Sequence, residues 1–272
     1  MHNISPEIAS IVAPIKNSSI WVNEAENALR YLTPYLDLPD NSRVLEIRSG
    51  ACILLGHLAL HYNNIEFTGI EPIGPGFQSL KKYIDSIKNL TKIDVFEDSF
   101  EKYEVVQPFD LVFLINVFEH LPDWRFFLQY ARNAIGKEGK CVILCPNYGF
   151  PIESHYGLPI LYNKKLTHKV FSKYIENFDQ QYDCSGLWDS LNFVKFADVK
   201  KQAESLHLNI EFNPEISFDF IRRLDEDEEF RKRHSKIAGI AQFADKSGIL
   251  NLFKHRLFWN YHPYMHLEIT HA

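Results

Sequence analysis

Four short segments of this 272-residue chain carry residue types and spacings that suit ligand binding or catalysis. In Glu46-Ile47-Arg48-Ser49-Gly50-Ala51-Cys52, Gly50 and Ala51 lack the bulk that would hold a ligand away from the backbone. Glu71 closes a second apolar run, and a carboxylate there can accept hydrogen bonds from two ribose hydroxyls. In Glu97-Asp98-Ser99-Phe100, Asp98 suits an adenine amino group and Phe100 the face of its ring; Asp98 can equally cap a following helix. The fourth segment, residues 145–159, is punctuated by proline and rich in aromatic residues, and it carries Tyr148, Glu153, His155 and Tyr156. Histidine moves protons at neutral pH, so His155 is the first candidate for a general base, with His120 and Glu153 behind it. The plainer alternatives are a His155 that only bonds within its loop and a Glu119-His120 pair that only closes a turn.

These residues need elements to position them. An apolar stripe from Glu24 to Leu36 predicts a helix with Asn23 as its cap and a kink or a stop near Thr33, ahead of Pro34. Strands are expected at Arg43 to Ile47, Glu66 to Ile70, Lys92 to Phe96, Phe109 to Ile115 and Cys141 to Leu144. Helices are expected at Leu54 to Tyr62, Phe77 to Asn89 and Trp124 to Ala134, and a turn at Gly136 to Gly139. Regular alternation of strand and helix implies crossover connections and a parallel sheet covered on both faces. The fourth and fifth strands are solid apolar runs, as strands buried on both sides require. In such a sheet, ligands bind beyond the carboxyl ends of the strands, where Gly50, Glu71 and Asp98 all fall.

The segment Asn116-Val117-Phe118-Glu119-His120-Leu121-Pro122-Asp123, behind its apolar strand, resembles the class I methyltransferases that use S-adenosylmethionine (SAM). Gly136 to Ile143 is similar to that family's turn before its fifth strand, and Thr68 to Pro72 to its acidic ribose motif; the likeness covers residues 40–147. It implies a Rossmann-like, doubly wound, mostly parallel sheet with an antiparallel C-terminal strand and helical insertions. It also implies SAM as cofactor, with Glu46 and Gly50 shaping the methionine pocket, Glu71 on ribose, Asp98 and Phe100 on adenine, and Asn116 facing the methyl donor. Arg48 and Cys52 occupy two positions where the family has glycine, and Arg48 is the serious departure. Either the arginine turns outward or onto an anionic group, or SAM binding is weakened.

The whole chain, 1–272, is read as a single domain. It has a helical lead-in (1–40), a cofactor core (41–147), an inserted loop or lid (148–195) and C-terminal strands (196–272). Within the last part, a helical insertion at 215–257 reads as lid, homodimer surface or plain core. Net charge −6 with no long basic run argues against nucleic acid. No apolar segment is long enough to span a bilayer, and the first residues lack a signal peptide's pattern. Dispersed cysteines fit a reducing cytoplasm. His262, His266 and His271 lack zinc spacing, so no metal is expected. The leading function is methyl transfer to O or N of a small-molecule or sugar-type acceptor. The alternative is a non-catalytic module that binds a partner protein.

Overall fold

The computed structural model describes residues 3–74, 78–233, 239 and 247–272. In chain order its strands are β1 (Arg43–Ile47), β2 (Glu66–Ile70), β3 (Asp94–Phe96), β4 (Phe109–Ile115), β5 (Ile135–Pro146), β6 (Ile152–Glu153), β7 (Leu158–Pro159), β8 (Leu208–Phe212) and β9 (Tyr264–His271). Its helices are α1 (Pro6–Val12), α2 (Ser18–Leu32), α3 (Ile53–His61), α4 (Lys81–Thr91), α5 (Trp124–Ala134), α6 (Lys164–Tyr182), α7 (Leu187–Ser190), α8 (Phe196–Ser205), α9 (Ile216–Glu226) and α10 (Glu228–Arg233). Seven strands form one sheet in the order β3-β2-β1-β4-β5-β9-β8, mostly parallel with an antiparallel C-terminal strand, while β6 and β7 make a separate antiparallel pair. β1 runs parallel to both β2 and β4, and the strand order reverses between β1 and β4. This switch point is where an open α/β sheet leaves a crevice. The expected Rossmann-like class is the observed one.

Two compact units divide the chain. The first comprises Met1–Ile115, Gln129–Val142 and Thr270–Ala272; the second comprises Asn116–Leu128 and Ile143–Ile269. In the first unit, Ile8, Leu29, Leu55 and Ile84 of α1 to α4 join Val44, Phe67, Leu111 and Phe113 of the strands in one buried cluster. Helices bury one stripe and parallel strands bury both faces, so this cluster is what fixes the strand ends that hold the site. The second unit packs largely through rings. Phe212 stacks on Trp259 at 5.3 Å, and Phe196 meets both edge-on. Phe220, Leu224 and Phe230 form a smaller cluster against Tyr264.

Several boundaries differ from expectation for identifiable reasons. α2 begins at Ser18, not after Asn23, because residues 18–22 contain no breaker; Asn17, with its left-handed backbone (φ 61°), precedes it instead. It stops at Leu32, and Thr33–Tyr35 tightens into a 3-10 turn around Pro34. The expected turn Gly136 to Gly139 is drawn into β5, with Ile135 and Gly139 buried and Lys137 and Glu138 in solvent. The helix α6 was not foreseen. Among its nineteen residues only Thr167 and Ile175 are buried, so its apolar period is faint; Asn163 caps it by accepting from the Leu166 N–H. Of the apolar positions in the 215–257 stretch, Ile237, Ile240, Ala241 and Phe243 lie outside the described residues, as does Phe77 of the helix expected at Phe77 to Asn89. No helix of the described residues is long and apolar enough to cross a membrane.

Two buried histidines make stability depend on acid. His57 in the first unit accepts the Ser5 N–H at Nδ1 (3.0 Å), and burial, then the neighbouring His61, lowers its pKa from 6.5 to about 4. His266 in the second unit is lowered to about 4, again by burial, against a small opposing pull from Glu268. In the window from pH 6.5 down to about 4 the unfolded chain takes up protons that the folded chain refuses, so these groups' stabilisation is lost as pH falls. His57→Gln, which keeps an acceptor for Ser5, is expected to shrink the drop in melting temperature across that window. A variant with the parent's full drop would show that His57 does not contribute.

Candidate active site

The turn after β1 repeats one backbone device three times. Arg48 (φ 55°), Gly50 (φ 56°) and Cys52 (φ 58°) all lie in the left-handed region. That conformation favours glycine, and a residue with a Cβ gives up about 1–2 kcal/mol to adopt it. The chain thus keeps a glycine-loop geometry at three alternate positions while glycine occupies one. What holds it is a set of bonds to β2 and α3. Ser49 donates its N–H to Ile70 O (3.1 Å), Cys52 donates to Ser49 O (2.8 Å), and Gly50 donates to the Glu71 carboxylate at Oε2 (2.8 Å). Gly69 of β2 is part of this fit, since a Cβ there would lie 2.8 Å from Ser49 Oγ. At Gly50, by contrast, a Cβ would meet nothing within 4 Å among the described residues, so the loop faces open space there.

The charges around that space are unbalanced. Glu46 is buried, accepts from the Leu55 N–H in the first turn of α3, and has its Oε2 without a hydrogen-bond partner. Burial, then the neighbouring Glu71, pushes its pKa well above the usual carboxylate range. Glu71 is raised too, chiefly by burial, with the Gly50 N–H and the Arg48 charge pulling the other way. The charge of half-buried Arg48 lies close enough to lower the Glu71 pKa without cancelling the effect of burial. Asp98 is bound by Lys102 Nζ (2.9 Å) and by the Ser99 N–H (2.7 Å), and its pKa is lowered by them. Phe100 is buried, edge-on to Tyr130 at 5.2 Å.

In the second unit the remaining candidates gather around a different pair of carboxylates. Asn116 directly follows β4 with a left-handed backbone (φ 54°) and accepts from the Tyr264 hydroxyl at Oδ1 (3.0 Å). Glu153 is fully buried yet well satisfied. Its Oε1 accepts from His155 Nδ1 (2.7 Å), the His155 N–H (3.0 Å) and the Tyr148 hydroxyl (3.3 Å), and its Oε2 from the Tyr156 N–H (2.7 Å). Burial alone would raise its pKa, but the His155 bond and charge and the two backbone donors bring it below its ordinary value. Tyr156 turns away and donates to Asp179 (2.7 Å). His120 sits with its ring 5.5 Å from that of His155, and its Nδ1 lies 2.8 Å from Ser190 Oγ.

Glu119 is the residue that sequence reasoning missed. Its side chain is fully buried, no other described residue donates a hydrogen bond to either carboxylate oxygen, and burial lifts its pKa to about 7 against the pull of His155. His120 Nε2 lies 3.8 Å from its Oε1. The available signal was an acidic residue inside the apolar run Val117-Phe118-Glu119-His120-Leu121, which places a carboxylate where water does not reach. The C-terminal histidines are held otherwise: His262 between Ser217 Oγ and Phe253 O, both 2.8 Å, and His266 against Asn213.

This is the architecture of a doubly wound α/β protein with a ligand-binding turn after its first strand. Residues 45–141 match the model of a methyltransferase domain family, Methyltransf_12. That match covers the stretch from β1 into β5, and over it the chain is similar to that methyltransferase family. The uncharacterized protein Rv1509 of Mycobacterium tuberculosis (strain H37Rv) is 29% identical over 204 residues, 73% of this chain and 68% of that one. Among solved structures, the cyclopropane synthase MmaA2 from Mycobacterium tuberculosis shares the fold at TM-score 0.53 and 13% identity, over 97% of this chain and 93% of that one. Coclaurine N-methyltransferase, solved with N-methylheliamine and S-adenosylhomocysteine (SAH), does so at 0.51 and 16%, over 98% and 81%. Phosphoethanolamine N-methyltransferase 2 of Haemonchus contortus is similar at 0.51 and 13%; the alignment covers 97% of this chain and spans only 59% of that longer protein.

The left-handed backbone at Arg48 has a measurable cost. Arg48→Gly and Arg48→Ala both remove the charge beside Glu71, but only glycine relieves the backbone by about 1 kcal/mol. Arg48→Gly is therefore expected to melt about 2–4 °C above Arg48→Ala. Equal melting temperatures would mean that the loop relaxes out of that conformation.

Proposed function

We propose that this chain is an enzyme that binds SAM in the turn after β1 and transfers its methyl group to an oxygen or nitrogen of a small-molecule acceptor. The observation that carries the reading is the pair of buried carboxylates, Glu46 and Glu71, beside a loop that faces open space at Gly50. A buried carboxylate with an unpartnered oxygen suits a cationic ligand, and Glu46 Oε2 is such an atom. The residues fit the group. Glu46 would take the ammonium end of the methionine part, Gly50 would let the backbone approach it, and Glu71 would hold ribose hydroxyls. Asp98 and Phe100 are assigned to the adenine side and Asn116 to the methyl donor. The SAH in the coclaurine N-methyltransferase structure supports the choice of cofactor.

When bound, SAM supplies an electrophilic methyl carbon on a sulfonium. The chain's own work is to orient the donor, exclude water and manage the acceptor's proton. The last task falls to the cluster of Glu119, His120, Glu153 and His155. With Nδ1 bonded to the Glu153 carboxylate, His155 is the side chain there whose other nitrogen suits proton transfer.

Calorimetric titration of SAH into the purified protein tests this reading. Saturable binding is expected, and Glu71→Ala should weaken it by about 1.5–3 kcal/mol, or roughly 10- to 150-fold. Absence of binding to the parent protein would leave the non-catalytic alternative standing. Unchanged affinity in Glu71→Ala would remove Glu71 from the ribose.

A further inference from the structure

We infer that Glu119, His120 and His155 form a binding site for one divalent first-row metal ion. One ligating atom from each of the three lies within 4.8 Å of the other two, the spread at which a single ion can reach all of them with small side-chain adjustments. Two histidines and one carboxylate make a donor set suited to Zn²⁺, Mn²⁺ or Fe²⁺, and three protein ligands leave positions open for an exogenous one.

Three independent features turn this proximity into a built site. Both oxygens of Glu119 are buried and no other described residue donates a hydrogen bond to them, although a carboxylate taken out of water is strongly driven to find a proton or a cation. Ser190 gives its single hydroxyl proton to Leu187 O (2.7 Å), so its oxygen can only accept at 2.8 Å from His120 Nδ1. The proton of His120 is thereby placed on Nδ1 and the lone pair on Nε2, the nitrogen nearer Glu119. Glu153 does the same for His155, because a carboxylate holding two backbone N–H groups and a tyrosine hydroxyl takes the Nδ1 proton and leaves the lone pair on Nε2. Metal-bound histidines are oriented in this way, the outer nitrogen donating to a carboxylate or another oxygen. Here two histidines carry that support, with side chains 22% and 24% exposed.

The metal site stands on its own geometry; its role in catalysis rests on the methyl-transfer reading and deepens the acceptor side of it. An ion with open positions binds an acceptor hydroxyl and lowers its pKa. The O–H proton passes to water, the oxygen forms a bond to the methyl carbon, and the carbon–sulfur bond breaks with its electron pair left on sulfur. His155 is then a ligand and does not take the proton itself. The acceptor class this favours is an alcohol or phenol, with a second oxygen able to fill the other open position.

The test uses untagged full-length protein, stripped with a chelator and dialysed, then titrated with Zn²⁺ by calorimetry and with Co²⁺ by visible absorption. One equivalent is expected to bind, with the cobalt absorption of a nitrogen- and oxygen-ligated site. His120→Ala and His155→Ala should each lower Zn²⁺ affinity at least about tenfold, and Ser190→Ala should weaken it less. Glu119→Gln keeps the shape and removes the charge; if it does not fold, the two histidine variants carry the test. No stoichiometric binding, or binding that neither histidine variant weakens, overturns the site. SAH titration of the stripped protein separates the two readings. SAH bound without any cation site overturns the present inference alone, and a cation bound without SAH leaves this site standing while the donor reading fails.

Discussion

A carboxylate removed from water has to find hydrogen bonds, a counter-ion or a proton, and the cost of finding none is several kcal/mol. Four glutamates in this chain meet that constraint in different ways. Glu153 is the resolved case, with donors on both oxygens and an imidazole against one of them. Its charge is stable in the interior, and the loop from Tyr148 to Tyr156 is gathered around it. Glu71 is partly resolved by the Gly50 N–H and the Arg48 charge. Glu46 and Glu119 are not resolved by the protein, and each keeps at least one oxygen with no partner. Unsatisfied buried oxygens of this kind are uncommon in folded proteins, and each calls for a proton, a water molecule or a ligand.

The turn at residues 48–52 shows how a fold carries a binding geometry through unfavourable sequence. Glycine at 48 and 52 would adopt the left-handed backbone at no steric cost, yet arginine and cysteine adopt it here. The conformation is imposed from outside the turn. Ile70 O, the Glu71 carboxylate and the room left by Gly69 fix Ser49 and Gly50, and the residues on either side conform to them. Arg48 turns out to have an electrostatic place, since its charge lies near Glu71 and lowers that group's pKa. The substitution trades backbone ease for partial neutralisation of a crowded anionic site.

The fold was more legible in the sequence than the site. Solid apolar runs at Phe109 to Ile115 and Cys141 to Leu144 are unambiguous because parallel strands bury both faces. α6 was illegible because helical periodicity is a burial signal, and a helix with two buried residues hardly carries one. The site was legible where the motif is local in the chain. Glu46, Gly50 and Glu71 lie in short turns, and the Glu153–His155 pair is two residues apart. Glu119 was not legible as a site residue, because its importance comes from having no partner, a property that only the packed structure reveals. Ser190 was hidden for a related reason: it acts on His120 across 70 positions of sequence.

The same physics separates what the two clusters ask of a ligand. Around Glu46 and Glu71 the unmet need is for positive charge with hydrogen-bond donors, beside a backbone left open at Gly50. An ammonium with neighbouring hydroxyls meets that need, and a bare metal ion meets it less well, since no imidazole is among the groups placed there. Around Glu119 the balance is reversed. Two imidazoles have their protons directed outward by Ser190 and Glu153, so their inner nitrogens offer lone pairs beside a carboxylate. An ammonium would find acceptors there, but an enclosed set of two nitrogens and a carboxylate favours an ion that takes lone pairs from both element types at short range. Each cluster is therefore selective through proton placement as much as through charge. The residues that set the protons, Ser190 and Glu153, belong to the second site as surely as the ligating atoms do.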